Sequence, residues 1–455
     1  MRSKSLMRLG AALVALPLIL AGCLASGSAA TVAPTGAASA PAAAPVTSST
    51  GPSSATGSPG AASAAAISGT ITFWDSYSEG GGQNNVVTTL DQLITSFEAQ
   101  YPNVKVQHQE IGYNDLRQKL VTGIAGGVLP DVLRADIMWV PEFANDGALL
   151  ALDQAMPDFR QLAAQTFAGS LGTNEWNGHY YGLPLDTNTR LLFYDKAVFA
   201  KAGISTPPAT IDEFEADMAK IKSTGAAAYG YAEGGTGSWN VLPWIFSMGG
   251  GITNATLTQA SGVLNGPQTV AAVQKLYGWL KQGSLSPSIL GGGLGTTDAL
   301  GKGETGTIVD GPWMPDIFSN QYPKLQYGLA PLPSGPAGSI SVVGGEDIVV
   351  FKQTQNQAAA LAFTRFMLSP EAQLALGKVG NMPVLKSLTG NSQLPSYYGI
   401  FQQQMVTAQP RTPTPQWPKI DEAVTNAVLK ALRGDEPVQQ ALDAAATTVD
   451  GLLKP

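Results

Sequence analysis

Two histidines, His108 and His179, and one cysteine, Cys23, are the whole supply of imidazole and thiol in 455 residues. Transition-metal sites are built chiefly from those groups, so metal chemistry has almost nothing to work with. No His-Glu-x-x-His and no Gly-x-Ser-x-Gly occurs, which removes the zincin and nucleophile-elbow arrangements. Gly301, Gly303 and Gly306 match Gly-x-Gly-x-x-Gly, but a helix-like segment precedes them and a strand-like one follows. A dinucleotide site needs the opposite order, so that a helix N-terminus meets the phosphates; the glycines read as a turn. Carboxylates remain, and two suffice for a glycosidase. Glu346 and Asp347 are adjacent, so on a strand they point to opposite faces and form no pair by themselves. Asp75, Asp136, Asp186 or Asp310 could oppose either one, and that alternative stays open.

Aromatic placement is more telling. Trp74 ends an apolar β-rich run, Trp313 follows Asp310-Gly311-Pro312, and Trp417 lies in the Pro-rich stretch Pro410 to Pro418. Each stands beside turn chemistry and polar neighbours instead of inside a helical stripe. A Trp face stacks on the C–H side of a sugar ring, while nearby acids and amides accept bonds from its hydroxyls. Trp279 within a helical pattern and Trp176 beside Asn-Gly read as structural.

The elements that must position these groups alternate between strand and helix, which predicts an α/β fold. Thr70 to Trp74 reads as the first buried strand, and Leu90, Leu93, Ile94 and Phe97 form one face of a helix. Val104 to Val106 and Asp131 to Ala135 read as further strands, separated by a helical stripe at Leu116, Leu120 and Ile124. Thr210 and Glu213 make a capping-box pattern. Val270, Val273, Leu276, Tyr277 and Leu280 form a second amphipathic stripe, and Thr307 to Val309 and Ile348 to Phe351 read as buried strands.

The first residues follow another logic. Arg2, Lys4 and Arg8 precede an apolar run, Leu9 to Leu20, and then Leu20-Ala21-Gly22-Cys23. That is the order of a secretory signal over residues 1–22, and the run is too short for a membrane span of about 20 residues. Leu-Ala-Gly-Cys resembles the lipobox of bacterial lipoproteins, which implies lipidation of Cys23. A lone cysteine in an exported chain needs such an explanation. From Leu24 to Ile67 the chain is almost all Ala, Ser, Gly, Pro and Thr, too poor in large apolar groups to offset the entropy of ordering. Residues 23–67 therefore read as the lipidated cysteine and a disordered tether, with a reach of roughly 35–40 Å.

About 388 residues follow, enough for two sizeable cores. Removing the three signal cations leaves 23 basic against 33 acidic residues, net −10. An acidic chain without a basic cluster argues against a nucleic-acid partner.

Several segments then resemble a known family. They are Phe97-Glu98 with Tyr101-Pro102, Gly127-x-x-Pro130-Asp131-Val132, Phe143 to Leu150, the run from Tyr180 to Phe214, Gly311 to Phe318, and Ser369 to Gln373. In order along the mature chain they resemble extracellular solute-binding proteins of carbohydrate ABC importers, the maltose-binding-protein-like group. The resemblance implies a two-lobe periplasmic-binding-protein-like α/β fold (type II), with a ligand cleft between lobes joined by several hinge crossings. Lobe 1 would span 68–188 with 346–402, and lobe 2 would span 189–345 with 403–455. Crossings would fall near Asp186–Arg190, Val343–Asp347 and Gln402–Ala408.

The same resemblance implies ligand contacts at Trp74, Asp75, Ser76, Asp136, Asp186, Thr187, Trp313, Gly345, Glu346, Asp347, Arg411 and Trp417. Trp313 and Trp417 would be stacking platforms, while Trp239 and Trp244 read equally well as core. Where many relatives carry Gly-Gly-aromatic or an amide at the second hinge, this chain has Glu346-Asp347, which leaves the particular sugar open. The implied partners are a di- or oligosaccharide, the membrane permease subunits of an ABC importer, and the membrane surface through the lipid; the chain would act as a monomer without a cofactor. The competing readings are a surface glycoside hydrolase using two cleft acids, and a binder of another polyol such as a glycerophosphodiester.

Overall fold

The computed structural model describes residues 64–77 and 85–454. Cys23, the signal segment and most of the expected tether lie outside them. Eleven strands occur among the described residues: β1 (Gly69–Asp75), β2 (Val104–Glu110), β3 (Val132–Asp136), β4 (Glu175–Trp176), β5 (His179–Tyr180), β6 (Gly182–Thr189), β7 (Leu191–Asp195), β8 (Tyr229–Ala232), β9 (Thr305–Asp310), β10 (Tyr327–Ala330) and β11 (Val343–Val350). They form a five-stranded sheet, β2-β1-β3-β11-β6, a four-stranded sheet, β10-β7-β9-β8, and the small hairpin β4-β5. That hairpin turns at Asn177 and Gly178, both at positive φ (50° and 77°), as a two-residue hairpin turn demands.

Strand alternation sends successive side chains of the first sheet into two cores. Ile71, Phe73, Val132, Leu183, Ile348 and Val350 pack on one face, where the helices Asn85–Gln100, Gln357–Met367 and Pro370–Lys378 cover them. The expected stripe Leu90, Leu93, Ile94 and Phe97 belongs to this core. Trp74, Leu133, Ala135 and Val349 pack on the other face, beneath Tyr113–Gly126 and Val140–Asn145.

The second sheet divides in the same way. Leu192, Tyr231 and Val309 meet the helices Ile211–Ser223, Ser238–Ser247, Pro267–Lys281 and Trp417–Arg433. Leu191, Phe193 and Ile308 meet Thr296–Gly301, Met314–Gln321 and Tyr398–Met405. The capping box at Thr210 is complete, with the Glu213 amide donating to Thr210 Oγ1 at 3.2 Å and the Thr210 amide donating back to the Glu213 carboxylate at 3.2 Å. The glycine triplet at 301–306 is a turn: a helix ends at Gly301 and β9 begins at Thr305.

One residue, Arg190, separates β6 of the first sheet from β7 of the second. Its amide donates to Ser341 Oγ at 3.2 Å, and that hydroxyl donates back to the Arg190 carbonyl at 2.9 Å. The amide of Gln409 donates to the Ser341 carbonyl at 2.8 Å, and the amide of Val343 donates to the Gln409 carbonyl at 2.9 Å. Three segments remote in sequence are thus knitted side by side where the two lobes meet. Among the described residues no helix is long and apolar enough to cross a membrane.

Candidate functional site

At the end of the first sheet a row of polar groups interrupts the apolar face. Register places Glu346 of β11 opposite Asp186 of β6 and opposite Asp136 of β3. Arg134, on β3, donates to Glu346 at 3.0 Å and to Ser76 Oγ at 3.1 Å, and its guanidinium lies 4.1 Å from the Tyr77 ring centroid. Burial, followed by the neighbouring Glu346 charge, pushes the Asp186 carboxyl well above the usual carboxylate range. Asp75 is fully buried against His108 and also accepts the Tyr77 amide at 3.0 Å. Burial of His108 opposes its charged form, but the Asp75 and Asp91 carboxylates outweigh that and raise its pKa.

Gly345 has φ +144°, and a Cβ there would stand 2.6 Å from the Asp186 carbonyl oxygen. Only glycine lets the strands approach this closely at that backbone angle. Asp347 turns to the other face of β11, where Thr173 Oγ1 donates to it at 3.0 Å and Asn174 Nδ2 at 2.8 Å. Burial raises its pKa despite those donors. Thr187 donates its amide to the Met382 carbonyl at 3.1 Å.

Asp136 gathers three donors of different origin. The Met138 amide reaches it at 2.7 Å, Tyr113 Oη at 3.1 Å, and Arg411 Nη2 at 3.0 and 3.2 Å to its two oxygens. Arg411 also lies 5.7 Å from the Trp239 ring centroid.

The second lobe presents two indoles. Trp239 and Trp313 have ring centroids 6.4 Å apart at an interplanar angle of 30°. Trp239 lies over Gly344 of β11, where a Cβ would come within 2.7 Å of its ring. The backbone of Trp313 approaches Gly380, where a Cβ would stand 3.0 Å from the Trp313 Cα. Trp239 therefore borders the first sheet through its ring, whereas Trp313 reaches the Gly380 segment through its backbone and lays its ring over Gly311; neither residue is fully buried.

Beneath Trp239, Arg190 donates to Glu233 at 2.9 and 3.2 Å and to the carbonyls of Trp239 and Asn240 at 3.1 Å each. Tyr231 Oη and Asn240 Nδ2 also donate to Glu233. Beside Trp313, burial pushes the Asp310 carboxyl up to about 6, although the Gly311 amide donates to it at 2.8 Å.

Of the residues expected at the site, Ser76, Asp186 and Glu346 converge around Arg134, and Arg411 meets Asp136. Two expected aromatics lie elsewhere. Trp74 packs in the core beneath Tyr113–Gly126, with Lys119 Nζ 3.9 Å from its ring centroid. Trp417 begins the helix Trp417–Arg433 and is 3% exposed among the second lobe's core residues. Trp244, read as either core or cleft, is core and stacks on Phe214 at 5.2 Å. Arg134 and Glu233 join the site without belonging to any motif. The sequence signal for Arg134 is a cation inside the apolar run Val132-Leu133-Arg134-Ala135, which demands a buried partner.

A separate depression of about 430 Å³ lies away from this row, bordered by Leu149, Gln154, His179, Tyr181, Lys352 and Gln357. No group of three or more His, Cys, Asp or Glu among the described residues is placed to hold a metal ion.

Comparison with known proteins places the chain. The model of the family described as bacterial extracellular solute-binding protein matches residues 81–374. A putative binding protein of Brucella abortus is 26% identical over 375 residues, covering 80% of this chain and 90% of that protein. The maltotriose-binding protein of Pyrococcus abyssi is 26% identical over 368 residues, covering 76% of this chain and 74% of its own length. Among solved structures, an ABC transporter solute-binding protein from Thermotoga lettingae, bound with α-D-tagatose, superposes with a TM-score of 0.76 at 27% identity. That superposition covers 85% of this chain and all of the other. A family match across well over half of the chain, on a two-lobed α/β frame, leads to one assignment: the chain belongs to the bacterial extracellular solute-binding proteins.

Proposed function

We propose that this protein captures a di- or oligosaccharide between its lobes and delivers it to the permease of an ABC importer, without turning it over. The observation that carries the reading is the Trp239–Trp313 pair, whose Trp239 ring lies over β11 beside a row of acceptors, Asp186, Asn188 and Glu346. Indole faces suit the C–H side of a sugar ring, and carboxylate and amide oxygens suit its hydroxyls. The maltotriose and tagatose ligands of the two named relatives agree in class with that chemistry. A phosphodiester ligand fits less well, because Arg134, Arg190 and Arg411 are each already paired with a carboxylate.

In this reading the hinge lies at Arg190, Ser341–Val343 and Gln409, and closure brings the lobes together over the ligand. Cys23 carries the lipid and residues 24–67 the tether, so that the receptor works at the outer face of the cytoplasmic membrane. Thermal melting and calorimetry with maltotriose, other di- and trisaccharides and glycerophosphocholine test it. A ligand at 100 times its dissociation constant adds about 2.7 kcal/mol of stability. The reading fails if glycerophosphocholine alone stabilises the protein, or if any saccharide is hydrolysed in a sustained way.

A further inference from the structure

We propose that the saccharide taken by this cleft carries a protonated amine, which seats against Asp186 and Glu346. The inference rests on the sugar-binding reading and narrows its ligand to amino sugars.

The two carboxyls stand directly opposite each other on β6 and β11. Arg134 is the cation that serves them, and both of its terminal nitrogens are engaged, one by Glu346 and one by Ser76. Asp186 is 4% exposed, and its Oδ2 has no hydrogen-bond partner. Two residues along the same strand, Asn188 is 5% exposed and its Oδ1 is likewise unpartnered. Asn188 faces Gly344, the residue over which Trp239 lies. Buried acceptors without donors are rare in folded proteins and call for a specific partner. Here two of them extend from the carboxyl pair toward the indoles, so the missing partner is a ligand rich in donors.

Charge selects among such ligands. The buried Asp186 and the partly buried Glu346 share one guanidinium, which leaves one negative charge unmatched, and an unmatched charge at a buried site is expensive. The empty receptor avoids that cost by keeping a proton on the pair, consistent with the raised carboxyl of Asp186. The other charged groups nearby are already matched. Asp75 has His108, Asp136 has Arg411, and Asp347 is held from the far face by Thr173 and Asn174. Tyr77 and Tyr398 stay neutral, because burial raises both phenols.

A hydroxyl could donate to Asp186 but leaves the proton where it is. An ammonium brings three donors and the missing charge. It replaces the shared proton, which leaves to solvent, and the buried net charge is unchanged.

The test uses the mature full-length chain with the glucosamine trimer, its tri-N-acetyl counterpart, and maltotriose as neutral reference. Expected is binding of the free amine about tenfold or more tighter than its N-acetyl counterpart. Roughly one proton should be released per complex, read from the dependence of the heat on buffer ionisation enthalpy. Affinity for the amine should rise with pH until Asp186 ionises in the empty receptor.

Asp186→Asn should abolish both the preference and the proton release. Glu346→Gln reads the same linkage should the first variant fail to fold, as judged by its melting. If maltotriose or the N-acetyl trimer binds as well as the amine, or no proton is released, the amine proposal is overturned while the sugar reading stands. If no saccharide of either kind shifts the melting, both fall.

Discussion

Arg411 donates to both carboxylate oxygens of Asp136 across 275 residues of sequence, tying the end of β3 to the segment that follows Gln409. Both side chains are about nine-tenths buried, so solvent screens the pair little. Tyr113 and Met138 complete the shell of the carboxylate. One contact thereby joins the first sheet to the part of the chain beside the second lobe's indoles.

Removing one partner leaves the other charged and buried. Arg411→Ala should therefore destabilise the protein by about 3–5 kcal/mol, read from urea unfolding at neutral pH. The double variant Arg411→Met with Asp136→Asn should recover part of that loss. No recovery would mean that packing, not charge, carries the effect.

The four tryptophans should separate by readout. Trp239→Ala and Trp313→Ala should weaken saccharide binding about tenfold each, with the smaller cost in stability. Trp417→Ala and Trp74→Ala remove core side chains and should cost about 3–5 kcal/mol. Melting and calorimetry on the same samples distinguish the two classes; a folded Trp417→Ala protein that had lost only its ligand would place that indole at the binding surface.

Gly345→Ala should destabilise by more than about 1 kcal/mol, because its φ of +144° disfavours a side chain and the added Cβ would crowd the Asp186 carbonyl. Glycines such as Gly399, with open space around them, should accept the same change at smaller cost. Equal melting points for the two variants would refute the close approach of β6 and β11.

Asp310 gives a pH signature. Burial raises its folded pKa to about 6, above the ordinary aspartate value of 3.8, so the folded state holds the proton more tightly than the unfolded one. The resulting stability is full below the unfolded value and is lost as pH rises through about 6. Asp310→Asn should therefore gain stability relative to the parent between about pH 4 and 7 and level off above that. Unfolding of both proteins across that range checks the sign; a flat difference would show that the carboxyl is not perturbed.

Cys23→Ser should release the protein from membranes into the medium. Stable retention needs more than one acyl chain, since a single chain binds only marginally. Fractionation of cells expressing each form reads the outcome directly, and a membrane-bound Cys23→Ser form would remove the lipid from the account.

Much of the frame was legible without coordinates, because it is encoded over short distances. The stripe Leu90, Leu93, Ile94 and Phe97, the box at Thr210 and Glu213, the turn at Gly301 to Gly306 and the strand at Thr307 to Val309 each follow from spacing within one or two turns of chain. The order of such segments, with the family resemblance, was enough to read a two-lobed α/β binding protein.

The site itself is another matter. Both faces of the first sheet are covered by helices, so alternation along β1 does not tell which of its side chains meets a cleft. Trp74 takes one face and Asp75 the other, and only the packed helices decide what each touches. Trp417 stands in a proline-rich stretch that reads as exposed, yet the hydrophobic stripe of its helix carries it into the core. The opposition of Asp186 and Glu346, served by Arg134, depends on strand order and register among three segments that span more than 200 residues. Local sequence determines which elements form; the long-range pairing of strands, which no spacing encodes, decided which charges share one buried place.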